Sequence, residues 1–145
     1  MPELYGITLT PGATLQIHGT VPEEADRSSF NLQYGPYKND EPAEGDTIAL
    51  HFDIRHGTDS VVKNHFEVDG WGEEEVTDFP SLNPGDSFLL EIKVTAESYS
   101  VQINGVGVGA FQHRVPLEEV THLFVFHDVT VNSVSLNGQQ LTPVH

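Results

Sequence analysis

The chain has 145 residues, with 6 Lys+Arg set against 22 Asp+Glu for a formal charge of −16; the length supports a hydrophobic core without metal or disulfide help, and the charge repels phosphate backbones and anionic bilayers alike, which argues against nucleic acid as a partner and against membrane insertion. Cysteine is absent, which excludes a disulfide framework, a thiol nucleophile and a cysteine metal site. A composition of 37% hydrophobic and 19% charged residues is a globular balance that argues against disorder, no apolar run approaches a bilayer span, and the opening MPELYGITLTPG has neither the basic nor the apolar region of a secretory signal.

Taken in chain order, short runs of period-2 alternation lie between Gly- and Pro-containing turns, the pattern of half-buried strands. Thr14–Val21 and Ser28–Tyr34 come first. The Pro- and acid-rich stretch Gly35–Asp46 is expected to be one exposed loop. In Asp46–Arg55, Ile48, Leu50, Phe52 and Ile54 share a face. Val61–Glu67 follows, then Ser87–Val94, with Phe88, Leu90, Ile92 and Val94 on one side. Ser98–Ile103 runs into a hairpin turning at Asn104-Gly105. Pro116–Val120 makes one helical turn at most. His122–Phe126 and Val129–Leu136 complete the series. Many strands and almost no helix predict an all-β sandwich of two antiparallel sheets, in a single domain over residues 1–145.

One strand has an outer face that is not bland. Opposite the apolar face of Thr47–Arg55 stand Ala49, His51, Asp53 and Arg55. The last three are spaced about 6–7 Å apart along the strand. They combine an imidazole, a carboxylate acceptor and a planar guanidinium with five donors, a row suited to reading hydroxyl groups. The plainer alternative is a solvated line of cross-strand salt bridges. Downstream comes the only tryptophan, Trp71, between Gly70 and Gly72 and followed by Glu73-Glu74-Glu75. A lone Trp is most often core. This context instead predicts a partly exposed indole that can stack on the C–H face of a sugar.

At these residues the chain resembles the galectin family of carbohydrate-recognition domains over nearly its whole length. The family's His-Phe-Asn-Pro-Arg signature is matched by His51-Phe52-Asp53-Ile54-Arg55, its Val-x-Asn by Val62-Lys63-Asn64, and its Trp-Gly-x-Glu-x-Arg by Trp71-Gly72-Glu73-Glu74-Glu75-Val76. Fainter matches are Arg27-Ser-Ser-Phe-Asn-Leu32, Phe111-Gln-His-Arg-Val-Pro-Leu117 and His127-Asp-Val129. The resemblance implies a jelly-roll sandwich that binds β-galactosides on its concave sheet, without catalysis, cofactor or metal. It implies that His51 and Arg55 bond the axial 4-hydroxyl of galactose and that Asp53 joins them in place of the family's asparagine. Asn64 and Glu74 would hold the 6-hydroxyl, and Trp71 would stack beneath the ring. Glycoproteins bearing such glycans are the implied partners, and pairing of edge strands into a homo-oligomer is expected to supply avidity, with the acidic charge as a counterargument.

The departures bear on specificity. Val76 stands where the family has an arginine that contacts the second sugar, so a galectin-like domain with altered glycan preference is the alternative function. Lys63 takes the parity of a core position, which the sequence does not explain. Glu67, Asp69 and Glu73 raise a further alternative, a laminarinase-like glycoside hydrolase. That chemistry needs two carboxyls about 5–5.5 Å apart, and the intervening Gly-Trp-Gly breaks the row. His51 with Asp53 and His122 with His127 are the nearest metal-like spacings, but neither is a ligand motif. His113 and His127 are expected to satisfy backbone groups or face solvent. Cytoplasmic synthesis is expected, with extracellular action by unconventional export suited to a chain without thiols.

Overall fold

Thirteen strands and one helical turn account for the regular structure of the computed structural model, which describes residues 2–80 and 82–144. In chain order these are β1 (Glu3–Gly6), β2 (Thr14–Thr20), β3 (Arg27–Gln33), β4 (Ile48–Arg55), β5 (Ser60–Glu67), β6 (Gly70–Trp71), β7 (Glu75–Asp78), β8 (Ser87–Val94), β9 (Ser98–Ile103) and β10 (Val106–Gln112). A single 3₁₀ turn (Leu117–Glu119) then precedes β11 (His122–His127), β12 (Thr130–Leu136) and β13 (Gln139–Gln140). The front sheet runs β1-β11-β3-β4-β5-β6, with β7 pairing the first half of β5, and the back sheet runs β10-β9-β8-β2-β12-β13. Every pairing is antiparallel, as expected for strands joined by short turns.

The predicted alternation is what closes the sandwich. Leu50, Phe52 and Ile54 of β4 and Phe88, Leu90, Ile92 and Val94 of β8 lie in one core between the sheets. Phe30 bridges the layers, 6.3 Å from the Phe52 ring and edge-on to Phe88 at 6.4 Å. Each such side chain, taken out of water, contributes about 1.5–3 kcal/mol. At the start of β4 the structure departs from the predicted parity. A bulge between Leu32 and Gln33 pairs Leu50 with Leu32 but Ile48 with Gln33. The extra residue turns Ala49 into the main core and leaves Ile48 buried outside it.

β11 is buried on both faces. Leu123 and Val125 enter the main core, while Phe124 and Phe126 stack at 4.5 Å on the outer side with Leu4. The predicted exposed loop, 35–46, is tied back to the sheet. Gln33 Nε2 donates to the carbonyls of Gly35 and Tyr37 at 3.0 and 2.6 Å, and the Tyr37 hydroxyl donates to Thr47 O at 2.7 Å.

Lys63 gains a physical account here. Its side chain is 1% exposed, and its ammonium donates to Val108 O at 2.7 Å and to Thr77 Oγ1 at 3.0 Å. Val108 lies in a bulge of β10 between Gly107 and Ala110, which interrupts the ladder there. Gly109 makes the bulge possible: its φ is +102, and an added Cβ would lie 3.3 Å from the lysine nitrogen. One buried cation thus fastens the edge of the front sheet to the edge of the back sheet. Burial lowers the Lys63 pKa from its ordinary value, and Glu75 opposes that shift.

Candidate functional site

Strand register assembles a grid of polar side chains on the outer face of the front sheet. From His51 onward β4 alternates regularly, so His51, Asp53 and Arg55 project together, away from the core residues Leu50, Phe52 and Ile54. On β3, Asn31 stands opposite His51, Ser29 opposite Asp53 and Arg27 opposite Arg55. On β5, Asn64 stands opposite His51 and Val62 opposite Asp53. The β5–β6 hairpin then places Trp71 opposite Phe66. The indole packs edge-on to Phe66 at 5.3 Å, lies 5.0 Å from the His51 ring, and remains 44% exposed.

These residues enclose a groove of about 520 Å³. Of the predicted residues, His51, Arg55, Asn64, Trp71 and Glu74 line it. Asp53 does not: it is wholly buried beneath the groove, its carboxylate 3.1 Å from His51 Nε2, 3.5 Å from Arg55 Nη2 and 3.8 Å from Arg27 Nη1. Burial pushes the Asp53 pKa up, but His51, Ser29 and Arg27 together outweigh it and hold the group below the usual carboxylate range. Asn31 Oδ1 accepts from His51 Nδ1 at 2.6 Å, which fixes the imidazole plane beside the indole.

Asn64 is held by its neighbours. Its Oδ1 accepts from the His65 backbone N–H at 2.8 Å and from Arg114 Nη1 at 3.4 Å, and its Nδ2 donates to Gly72 O at 3.0 Å. Two donors on one side and a carbonyl on the other settle the orientation of the amide. Arg114 follows β10 and reaches the rim from the back sheet. It donates to Glu73 O at 2.8 Å, to His65 Nδ1 at 3.1 Å and to Glu75 Oε2 at 3.0 Å, with its guanidinium carbon 4.4 Å above the Phe111 ring. It therefore clamps the residues on both sides of Glu74. Gly72 has to be glycine here, because an added Cβ would lie 2.2 Å from the His65 ring and 2.9 Å from Arg114 Nη1.

Other lining residues were missed in the sequence: Arg27, Asp40, Glu41, Val62 and His127. A signal for Arg27 existed, since Arg27, Ser29, Asn31 and Gln33 form a polar alternation opposite Ser28, Phe30 and Leu32. His127 corrects the expectation that it faces solvent or backbone. It has a φ of 63 at the end of β11, a conformation uncommon for a side chain other than glycine, and it faces the groove. Burial and Arg27 lower its pKa, against Asp40, Asp53 and Asp128. His113 does as expected, its Nε2 donating to Thr95 O at 2.9 Å. The acids Glu67, Asp69 and Glu73 do not line the groove, and Glu67 is 3.2 Å from His65 Nε2. Among the described residues no group of three or more His, Cys, Asp or Glu could hold a metal ion.

The comparison with known proteins agrees with this geometry. The family model for galactoside-binding lectins matches residues 5–136. The chain belongs to the galectin family. The galectin resembles human galectin-7, with 32% identity over 88% of this chain and 90% of that protein. It is 35% identical to human galectin-4 over 93% of this chain and 41% of that protein, and 30% identical to the 32 kDa beta-galactoside-binding lectin of Haemonchus contortus over 90% of this chain and 44% of that protein. The chain thus spans less than half the length of these two longer relatives. The solved structure of sheep galectin-11, in complex with glycerol, superposes with a TM-score of 0.81 at 25% identity, covering 93% of this chain and 96% of that one. The chain is a galectin-family domain of jelly-roll architecture.

Proposed function

We propose that the groove binds β-galactosides by stacking and hydroxyl reading. The observation that carries this is the exposed Trp71 indole, 5.0 Å from a His51 ring that begins the polar row. The indole takes the apolar C–H face of galactose. His51 and Arg55 serve the axial 4-hydroxyl, Asn64 and Glu74 serve the 6-hydroxyl, and Asp53 orients His51 and Arg55 from below. Affinity for one sugar is modest, because hydroxyl desolvation offsets much of the hydrogen-bond gain. A glycan array with lactose competition tests the reading, using Trp71→Ala and His51→Ala as controls. Lactose-sensitive binding by the parent chain, lost in both variants, is expected. Binding that ignores lactose, or that survives both substitutions, refutes it.

A second reading concerns the sugar that follows galactose. Val76 is 57% exposed and pairs with Val62, which lines the groove. This apolar step, where the family pattern has an arginine, supports a preference for a reducing-side residue that offers an apolar group such as an acetamido methyl. Arrays that rank N-acetylated disaccharides above lactose favour it. Glycoprotein partners, and a homo-oligomer that multiplies weak sites, belong to the same proposal; light scattering that finds only the 16.0 kDa species at working concentration removes the oligomer.

A further inference from the structure

The end of the groove away from Trp71 carries a charge arrangement that the role of Asp53 alone does not explain. Arg27 and Arg55 stand directly opposite each other on β3 and β4, a placement in which like charges repel. Both are partly exposed and both line the groove. Beneath them the Asp53 carboxylate is fully buried, and its contacts with His51 and the two arginines are longer than an ordinary charge-assisted hydrogen bond. His51 faces Oδ1 at 3.1 Å, while Arg27 and Arg55 share Oδ2 at 3.8 and 3.5 Å. Removing a partner from a buried charge is costly, because the remaining group is stranded out of water.

Arg27 is itself held in place. Asp128 Oδ2 accepts from the backbone N–H groups of Asp26 and Arg27 at 2.8 and 3.2 Å, which pins the start of β3. Arg27 Nη2 lies 3.5 Å from His127 Nε2, and Ser29 Oγ is 2.7 Å from His127 Nδ1. Because a guanidinium can only donate, Nε2 accepts and Nδ1–H donates to the serine. The turn at His127-Asp128 therefore fixes Arg27 through both its backbone and its side chain.

We propose that Arg27 is a positioning residue of the galactoside site: it shares the Asp53 carboxylate with Arg55, and by doing so allows an aspartate beneath the groove while leaving the Arg55 donors free for sugar hydroxyls. This rests on the galactoside reading given above. With one carboxylate divided between two guanidiniums, the pair carries a single net positive charge. Without Arg27, Asp53 engages Arg55 alone and draws its fork down, away from the ligand.

The test is a double-mutant cycle on the full chain with two readouts. Lactose affinity is measured by tryptophan fluorescence and stability by urea unfolding at pH 7, for the parent, Arg27→Ala, Asp53→Asn and the double variant, with Arg27→Lys added. Arg27→Ala is expected to weaken lactose binding about tenfold, or about 1.4 kcal/mol, when residue 53 is Asp, and less than about twofold when it is Asn. Arg27→Lys is expected to restore part of the loss through its charge. The urea midpoint should fall with Arg27→Ala only in the Asp53 background. Equal losses in both backgrounds, or no loss in either, overturn the proposal. Should Asp53→Asn abolish binding, the urea cycle decides by the same criterion. A parent chain that ignores lactose defeats the galactoside reading instead, and an uncoupled urea cycle then defeats the proposal separately.

Discussion

Gly72→Ala is the substitution whose consequences follow most directly from distances. The added Cβ would sit 2.2 Å from His65 Cε1 and 2.3 Å from His65 Nδ1, so the ring must retreat by roughly 1 Å to regain ordinary contact. That ring is fixed from two sides, by Arg114 Nη1 at 3.1 Å and by Glu67 Oε1 at 3.2 Å. Moving it weakens both contacts. Overpacking costs about 1–3 kcal/mol, and the partly exposed polar contacts add no more than about 1 kcal/mol after screening by water. A total of about 1–4 kcal/mol lowers the melting temperature by roughly 3–15 °C for a domain of this size. Binding falls as well, because Gly72 O holds the Asn64 amide. The assay pairs calorimetry with lactose titration on Gly72→Ala, His65→Ala and the double variant. In the His65→Ala background the clash is largely gone, so the glycine substitution should cost less than about 1 kcal/mol. A Gly72→Ala protein with unchanged melting and binding, or with the same loss in both backgrounds, refutes the reasoning.

Three further outcomes are expected. Arg114→Ala should weaken lactose binding about tenfold through Asn64 and Glu74, with Arg114→Lys recovering little because the ammonium lacks the fork; titration of the two variants checks this. Lys63 has a lowered pKa in the folded chain, so the unfolded chain holds the proton more tightly, and this group alone should make stability rise with pH from the folded pKa towards the ordinary lysine value; burial raises the Tyr5, Tyr37 and Tyr99 pKa values and acts in the opposite direction in both proteins, so the check is the difference, with urea midpoints rising more or falling less with alkaline pH in the parent than in Lys63→Met. Asp53 has a lowered pKa, so its contribution is complete above the ordinary carboxylate value and is lost as pH falls through the folded one; acid unfolding should lose this component in Asp53→Asn.

The strands and the central row were legible because both rest on local periodicity. Leu50, Phe52 and Ile54 against His51, Asp53 and Arg55 is a parity statement, and parity survives folding wherever the ladder is regular. It failed at Ile48 and Ala49 because a bulge depends on the partner strand. Trp71 was read as exposed from its glycine neighbours, though the steric reason for Gly72 lies in His65 and Arg114, which only the fold brings together. Arg114 lies within the Phe111–Leu117 match, but its place at the groove depends on the opposite sheet, from which it reaches the rim. His127 needed a backbone angle that no composition announces. Lys63 looked anomalous because its acceptor, Val108 O, is 45 residues away in a bulge.

The chain has six Lys and Arg residues in all, and all three arginines gather at one place: Arg27 and Arg55 in the groove and Arg114 behind its rim. The rest of the surface is dominated by carboxylates. The groove is lined by Asp40, Glu41 and Glu74 as well, so its two guanidiniums act on a ligand at contact distance and not through a long-range attractive field. Capture of an uncharged sugar there should accordingly change little with added salt.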